Sequence, residues 1–163
     1  MTRKNVTGLL VVLLAAVMGA TGLAVPAFAE YEQGQVIDKF TGRCLDSNDQ
    51  GEVYTLPCYG NNNQRWTYAT KTRTAPPYRD FKLQNAATGR CLDSNSQGNV
   101  YTLPCQDWNT YQSWYGPLLN HADLYITNDF THRVLDSNTS GQVYTNNRQE
   151  NNDYQHWTYC TCY

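Results

Sequence analysis

The stretch LDSNSQGNVYTLPC, residues 92–105, decides the fold, because the chain writes it three times. The other copies are LDSNDQGEVYTLPC at 45–58 and LDSNTSGQVYTNNR at 135–148. Working outward, TGRCLDSN begins at Thr41 and again at Thr88, and THRVLDSN begins at Thr131, in steps of 47 and 43 residues. A later anchor, Gln-x-Trp, falls at Gln64–Trp66, Gln112–Trp114 and Gln155–Trp157, in steps of 48 and 43. A fixed period of this size marks an internal repeat, and the repeat must be read before any single element.

Each unit reads as four short strands. Val36, Leu83 and Ile126 precede the threonine anchor at matching positions, with Phe81 and Leu124 two residues earlier, which is strand spacing. The R-x-L-D strand, a glycine turn (Gly51, Gly98, Gly141), the V-Y-T strand and the Q-x-W strand follow. Nothing follows the third Q-x-W as a further strand, and the opening GQVIDKF supplies the missing partner, so twelve strands close into a ring. Three units are few for a propeller, and no solenoid caps are present. The expectation is an all-β, closed, pseudo-threefold barrel with repeats at about 34–79, 80–122 and 123–163.

Cys44 and Cys58 are 14 residues apart, as are Cys91 and Cys105, which suggests one local disulfide per unit. In the third unit these positions are Val134 and Arg148, so both cysteines are lost together. Zinc is the rival reading, but the spacings match no common ligand pattern and no histidine is near. No metal or other cofactor is expected. Each bridge should stabilise by roughly 3 kcal/mol in the chain-entropy view. Cys160 and Cys162 are open: they bridge each other, bridge two chains, or stay free.

Placing Cys44 opposite Cys58 sets a register in which Asp46 faces Leu56 with Tyr54 as its diagonal neighbour. Asp93 then faces Leu103 beside Tyr101, and Asp136 faces Asn146 beside Tyr144. Alternation puts each acid and aromatic on the outer face and sends Leu45, Val53 and Thr55 to the core. A carboxylate accepts hydrogen bonds from adjacent hydroxyls, and an aromatic ring covers the C–H face of a pyranose. The turns YGNNNQ, QDWNTYQ and QENNDYQ add amide donors and acceptors. The competing reading makes Asp46 and its copies turn caps, since Asp-Ser-Asn before Gly is good turn chemistry.

The chain has 163 residues and begins MTRKNVTGLLVVLLAAVMGATGLAVPAFAE. Arg3 and Lys4, an apolar run and Ala27-Phe28-Ala29 read as a secretory signal peptide over 1–29, cut before Glu30. Gly19, Gly22 and Pro26 leave the run short of the ~20 residues of a membrane span. A secreted, extracellular protein of 134 residues is expected, enough for one domain at 30–163. Its 10 Lys and Arg against 14 Asp and Glu leave a formal charge of −4, and the absence of a basic run argues against nucleic acid as the main partner.

These residues resemble the ricin B-type β-trefoil lectins, over the whole mature chain. The phrase L-D-S-N-x-x-G-x-V-Y-T-L-P looks like the actinohivin-like secreted actinobacterial lectins. The resemblance implies a β-trefoil, one shallow sugar pocket per repeat, and terminal mannose of high-mannose glycans as ligand. Galactose or xylan-type ligands of the wider family stay open. Carried over by position, the family's aspartate is Asp46, Asp93 and Asp136, and its V-Y-T tyrosine is Tyr54, Tyr101 and Tyr144. The apolar contact is Leu56 and Leu103, with Asn146 in the third unit. The tyrosine before the Q-x-W glutamine is Tyr111 and Tyr154, with Asn63 in the first. The family's Asn after Leu-Pro falls on Tyr59, Gln106 and Gln149, and the glutamines are Gln64, Gln112 and Gln155. The second unit keeps most of the pattern.

The implied partners are glycans or polysaccharides, and the expected state is a monomer. A second reading is a protease inhibitor acting through the loop 69–80, which carries Lys71 and Arg73. Catalysis is not expected: His121, His132 and His156 lie far apart in the repeat frame, and the acids recur as copies, not as a pair around one bond. A sugar-targeting module acting without an enzyme partner is the remaining reading.

Overall fold

Three tryptophans anchor the architecture. Trp66, Trp114 and Trp157 are fully buried, and each indole N–H donates to a backbone carbonyl of its own repeat: Leu45 at 2.9 Å, Leu92 at 3.0 Å and Leu135 at 3.0 Å. A buried indole needs such a partner. The bond ties the Q-x-W strand to the R-x-L-D strand in every unit. Val36, Leu83 and Ile126 join the three tryptophans and Leu45, Leu92 and Leu135 in one core.

The computed structural model describes residues 32–70, 79–116 and 122–161. The expected signal segment, Lys71, Arg73, His121 and Cys162 lie outside them. The first repeat contains β1 (Glu32–Asp38), β2 (Cys44–Ser47), β3 (Val53–Leu56) and β4 (Trp66–Thr70). The second contains β5 (Arg79–Asn85), β6 (Arg90–Ser94), β7 (Val100–Pro104) and β8 (Trp114–Gly116). The third contains β9 (Ala122–Leu124), β10 (Thr127–Asn128), β11 (Val134–Ser137), β12 (Val143–Asn146) and β13 (Trp157–Cys160). Thirteen strands replace the expected twelve because Tyr125 and Ile126 interrupt the opening strand of the third repeat.

The ring closes as expected. β1 pairs with β13 on one side, Val36 opposite Tyr159, and with β4 on the other, Gly34 opposite Trp66. β4 continues to β5, β5 to β8, β8 to β10, and β9 returns to β13. The hairpins β2–β3, β6–β7 and β11–β12 cap one end and meet around the pseudo-threefold axis. There Thr102 donates its N–H to Gly51, Thr145 to Gly98 and Thr55 to Gly141, each at 2.8 Å. The three glycines have φ of 88–90°. A Cβ on any of them would lie 2.6–2.7 Å from the carbonyl of Thr102, Thr145 or Thr55, so glycine is required on both counts.

The hairpin register differs from the expectation by two residues. Cys44 pairs with Leu56, and Asp46 stands directly opposite Tyr54. Asp93 likewise faces Tyr101, and Asp136 faces Tyr144. Pro57 has no N–H with which to continue the ladder, so the chain leaves the strand after Leu56. The bridge is therefore diagonal. Cys44–Cys58 and Cys91–Cys105 both form, with Cα atoms 5.1 and 5.0 Å apart. Cys160 is disulfide-bonded as well, so the reading that leaves it free is set aside.

Candidate functional site

Each candidate site is built where a short 3₁₀ turn folds over the R-x-L-D strand. The turns are Asn62–Gln64, Thr110–Gln112 and Asp153–Gln155. Their closing glutamines are fully buried and act as loop locks. Gln112 donates from Nε2 to the Pro104 carbonyl at 3.1 Å and accepts the Gln106 N–H at 2.9 Å. Gln64 makes the same pair of bonds to Pro57 and Tyr59, and Gln155 to Asn147 and Gln149.

Beneath the turns lie the aspartates. They were expected on an open outer face, yet Asp46, Asp93 and Asp136 are only 3, 2 and 1% exposed. The 3₁₀ turn covers the strand, so the carboxylates form the floor of each site. Asn109 donates from Nδ2 to Asp93 Oδ2 at 3.1 Å, and Asn152 does the same to Asp136 at 3.1 Å. Gln155 adds a second donor to Asp136 Oδ2 at 2.9 Å, while Oδ1 of that carboxylate has no hydrogen-bond partner. Burial pushes all three carboxyls above the ordinary aspartate value, and hydrogen bonding from Gln64, Gln112 and Gln155 works the other way. Burial, reinforced by the facing aspartate charge, also raises Tyr54, Tyr101 and Tyr144.

The turn-capping alternative belongs to different residues. Asn48 Oδ1 accepts the N–H groups of Gln50 and Glu52, and Asn95 and Asn138 repeat this in their hairpins. The asparagines, not the aspartates, make these turns.

The rims differ between repeats. Leu103 is 40% exposed beside the second site, while Leu56 and Asn146 are half-buried at the same register position. Gln106 is exposed, and its carbonyl accepts from Lys82 Nζ at 2.8 Å. Asn63 folds back, donating to the Ser47 carbonyl at 2.7 Å. Tyr144 turns its hydroxyl to the Ser137 carbonyl at 3.0 Å. In the third repeat Arg148 takes the place of a bridge cysteine and lies 4.1 Å over the Tyr125 ring. A cavity of about 350 Å³ opens there, lined by Tyr115, Tyr125, His132, Val134 and Arg148 among others.

Sequence reasoning named the amide-rich turns that hold Asn109 and Asn152 but did not single out these two, although an asparagine three residues before the Q-x-W glutamine was a readable signal. It also missed Trp108, which is 78% exposed beside Asn109, and the exposed Phe40 and Phe130. Phe130 lies 4.3 Å from the Tyr111 ring, and Phe40 lies 4.4 Å from Tyr154. Both phenylalanines come from the next repeat round the ring, so each aromatic pair spans a seam between repeats. Among the described residues, no three His, Cys, Asp or Glu side chains gather as a metal site, and no helix is long and apolar enough to cross a membrane.

The fold has close structural parallels. One is ThreeFoil, a designed 3-fold symmetric protein, with a TM-score of 0.64 at 20% identity, covering 78% of this chain and 97% of that one. Another is SeviL bound to asialo-GM1 saccharide, with a TM-score of 0.63 at 14% identity, covering 82% of this chain and 99% of that one. At such identities the likeness speaks for the trefoil alone. The sequence itself goes further: a profile for the ricin-type beta-trefoil lectin domain matches residues 32–157. With the three Q-x-W anchors, the closed ring and the matched profile together, the chain belongs to the ricin-type β-trefoil lectin domain family.

Proposed function

We propose that this protein is a secreted carbohydrate-binding lectin that acts without catalysis, with a shallow pocket in each repeat. The observation that carries the reading is the threefold recurrence of one arrangement. A covered aspartate faces a tyrosine across the hairpin, under a turn rich in asparagine and glutamine. An ionised carboxylate accepts hydrogen bonds from neighbouring sugar hydroxyls, and the tyrosine supplies an apolar wall for the ring's C–H face. SeviL, a trefoil of the same shape, is seen with a saccharide. The disulfides suit an oxidising, extracellular compartment.

The ligand class we propose is the terminal mannose of high-mannose glycans, on the resemblance of the L-D-S-N-x-x-G-x-V-Y-T-L-P phrase. The second pocket is the strongest. It combines Asp93, Asn109, Tyr101, Leu103 and Tyr111, whereas the first has Asn63 for the second tyrosine and the third has Asn146 for the leucine. Single shallow sites bind weakly, and three on one rigid body gain avidity of ~10²–10⁴ on a branched or surface-bound glycan.

The test is a glycan-array screen of residues 30–163 beside a variant with Asp46, Asp93 and Asp136 all replaced by Ala. Binding that the variant loses supports a lectin and names its sugar. Silence from the folded wild-type protein across the array would reject it. Asp93→Ala is expected to remove more binding than Asp136→Ala, and equal losses would overturn the ranking of the pockets.

A further inference from the structure

We propose that the second and third pockets each carry an additional subsite for a second sugar ring, built on Phe130 and Phe40, which the first pocket lacks. This rests on the lectin reading above.

Phe130 and Phe40 are 55 and 57% exposed, in turns that contribute nothing else apolar to the surface. A single exposed phenylalanine needs no explanation. Here the arrangement occurs twice with the same geometry. Each ring is tilted by 41 or 44° against a tyrosine of the preceding repeat, with centroids 4.3 or 4.4 Å apart. In the remaining seam both aromatics are absent together: Ala87 stands where Phe40 and Phe130 stand, and Asn63 where Tyr111 and Tyr154 stand. The chain thus contains its own comparison, two seams with a pair and one with neither member.

The pair is held in place by the backbone. Asn128 Oδ1 accepts the N–H groups of Phe130 and Thr131 at 3.2 and 3.1 Å, while its Nδ2 donates to the Tyr111 carbonyl at 2.7 Å. One side chain therefore fixes both halves of the aromatic pair. Asp38 orients the other turn by accepting from the Thr41 N–H at 2.6 Å and its hydroxyl at 2.7 Å. A surface fixed before the ligand arrives loses little freedom on binding.

The pair also joins the pocket. Tyr111 and Tyr154 sit in the 3₁₀ turns whose capping Asn109 and Asn152 donate to Asp93 and Asp136. Asp93 thus has Tyr101 facing it across the hairpin on one side and the turn that carries Tyr111, packed against Phe130, on the other. The carboxylate takes the hydroxyls of a terminal residue, and the outlying phenylalanine offers an aromatic face to the C–H groups of the residue linked to it. The predicted ligand class is an oligosaccharide of at least two pyranose rings.

The test compares monosaccharides with disaccharides that share the same terminal residue, in the mannose, galactose and xylose series, titrated against wild type, F40A/F130A and F40L/F130L. Wild type is expected to prefer the disaccharide by about tenfold. Both variants should bind the monosaccharide as wild type does and lose the disaccharide preference. If the leucine variant keeps the preference, the phenylalanines only buttress the tyrosines and the subsite is rejected. A preference retained by the alanine variant, or absent from wild type, rejects it as well. Failure of wild type to bind any member of the panel instead overturns the lectin reading, and the subsite with it.

Discussion

Asn109 Nδ2 lies 3.1 Å from Asp93 Oδ2, and the same bond recurs at 3.1 Å between Asn152 and Asp136. The first repeat uses its asparagine differently: Asn61 Oδ1 accepts the N–H of Gln64 at 3.2 Å. The second and third carboxylates are therefore aimed by a neighbouring amide. A hydrogen bond to a charged acceptor is worth about 1.5–3 kcal/mol. Asn109→Ala is expected to weaken binding at the second pocket by roughly tenfold or more, read by site-resolved NMR titration. Unchanged affinity would show that Asp93 needs no such support.

Burial raises the three aspartates in the folded chain. The folded state thus holds protons more readily than the unfolded state between the ordinary aspartate value of about 3.9 and the raised one. The resulting stability is fully present below the ordinary value and is lost as pH rises through the raised one. Asp93→Asn removes this dependence, so its melting temperature should match or exceed that of wild type at neutral pH. Glycan binding needs the ionised form and should fall on acidification above pH ~4. A binding midpoint at or below that value would contradict the burial argument.

The glutamine locks predict a stability effect. Gln112 is fully buried and satisfies both the Pro104 carbonyl and the Gln106 N–H. Gln112→Ala leaves both unpaired under the turn, at a cost of about 2–4 kcal/mol. Denaturant unfolding should show the loss, and a value under about 1 kcal/mol would mean that water replaces the amide.

The missing third bridge can be restored. Val134 faces Asn146 in β11–β12 as Cys44 faces Leu56 in β2–β3. The double change V134C/R148C should close a disulfide and stabilise by roughly 3 kcal/mol, seen as a higher melting temperature that reductant abolishes. Failure to oxidise would show that the third loop holds position 148 away from position 134.

The repeat made the ring legible before any coordinates, since three Q-x-W tryptophans and one orphan opening strand leave little choice but closure. The equal cysteine spacing gave both hairpin bridges. The register was off because a disulfide need not join a directly opposed pair: Cys44 and Cys91 stand opposite Leu56 and Leu103, and the third hairpin keeps that register with Asn147 in the proline's place and no bridge. Burial of Asp46 was also illegible. Strand alternation describes a hairpin alone and cannot know that residues 61–64, more than a dozen positions on, fold over it. Phe40 and Phe130 were missed for a related reason: their tyrosine partners belong to another repeat, and a repeat-by-repeat alignment looks only within units.

Asn85 donates to the Asn63 carbonyl at 2.6 Å and Asn128 to the Tyr111 carbonyl at 2.7 Å, so the opening turn of one repeat grips the 3₁₀ turn of the one before. At the closing seam Asp38 stands in for these asparagines and accepts from Ser137 Oγ at 2.9 Å. Three such units laid end to end would possess two complete junctions; only the circle supplies a third. The order in which the chain visits the junctions is thus immaterial to them. A circular permutant opened between residues 70 and 79, with the old ends joined, should keep every seam, whereas deleting one repeat should damage two.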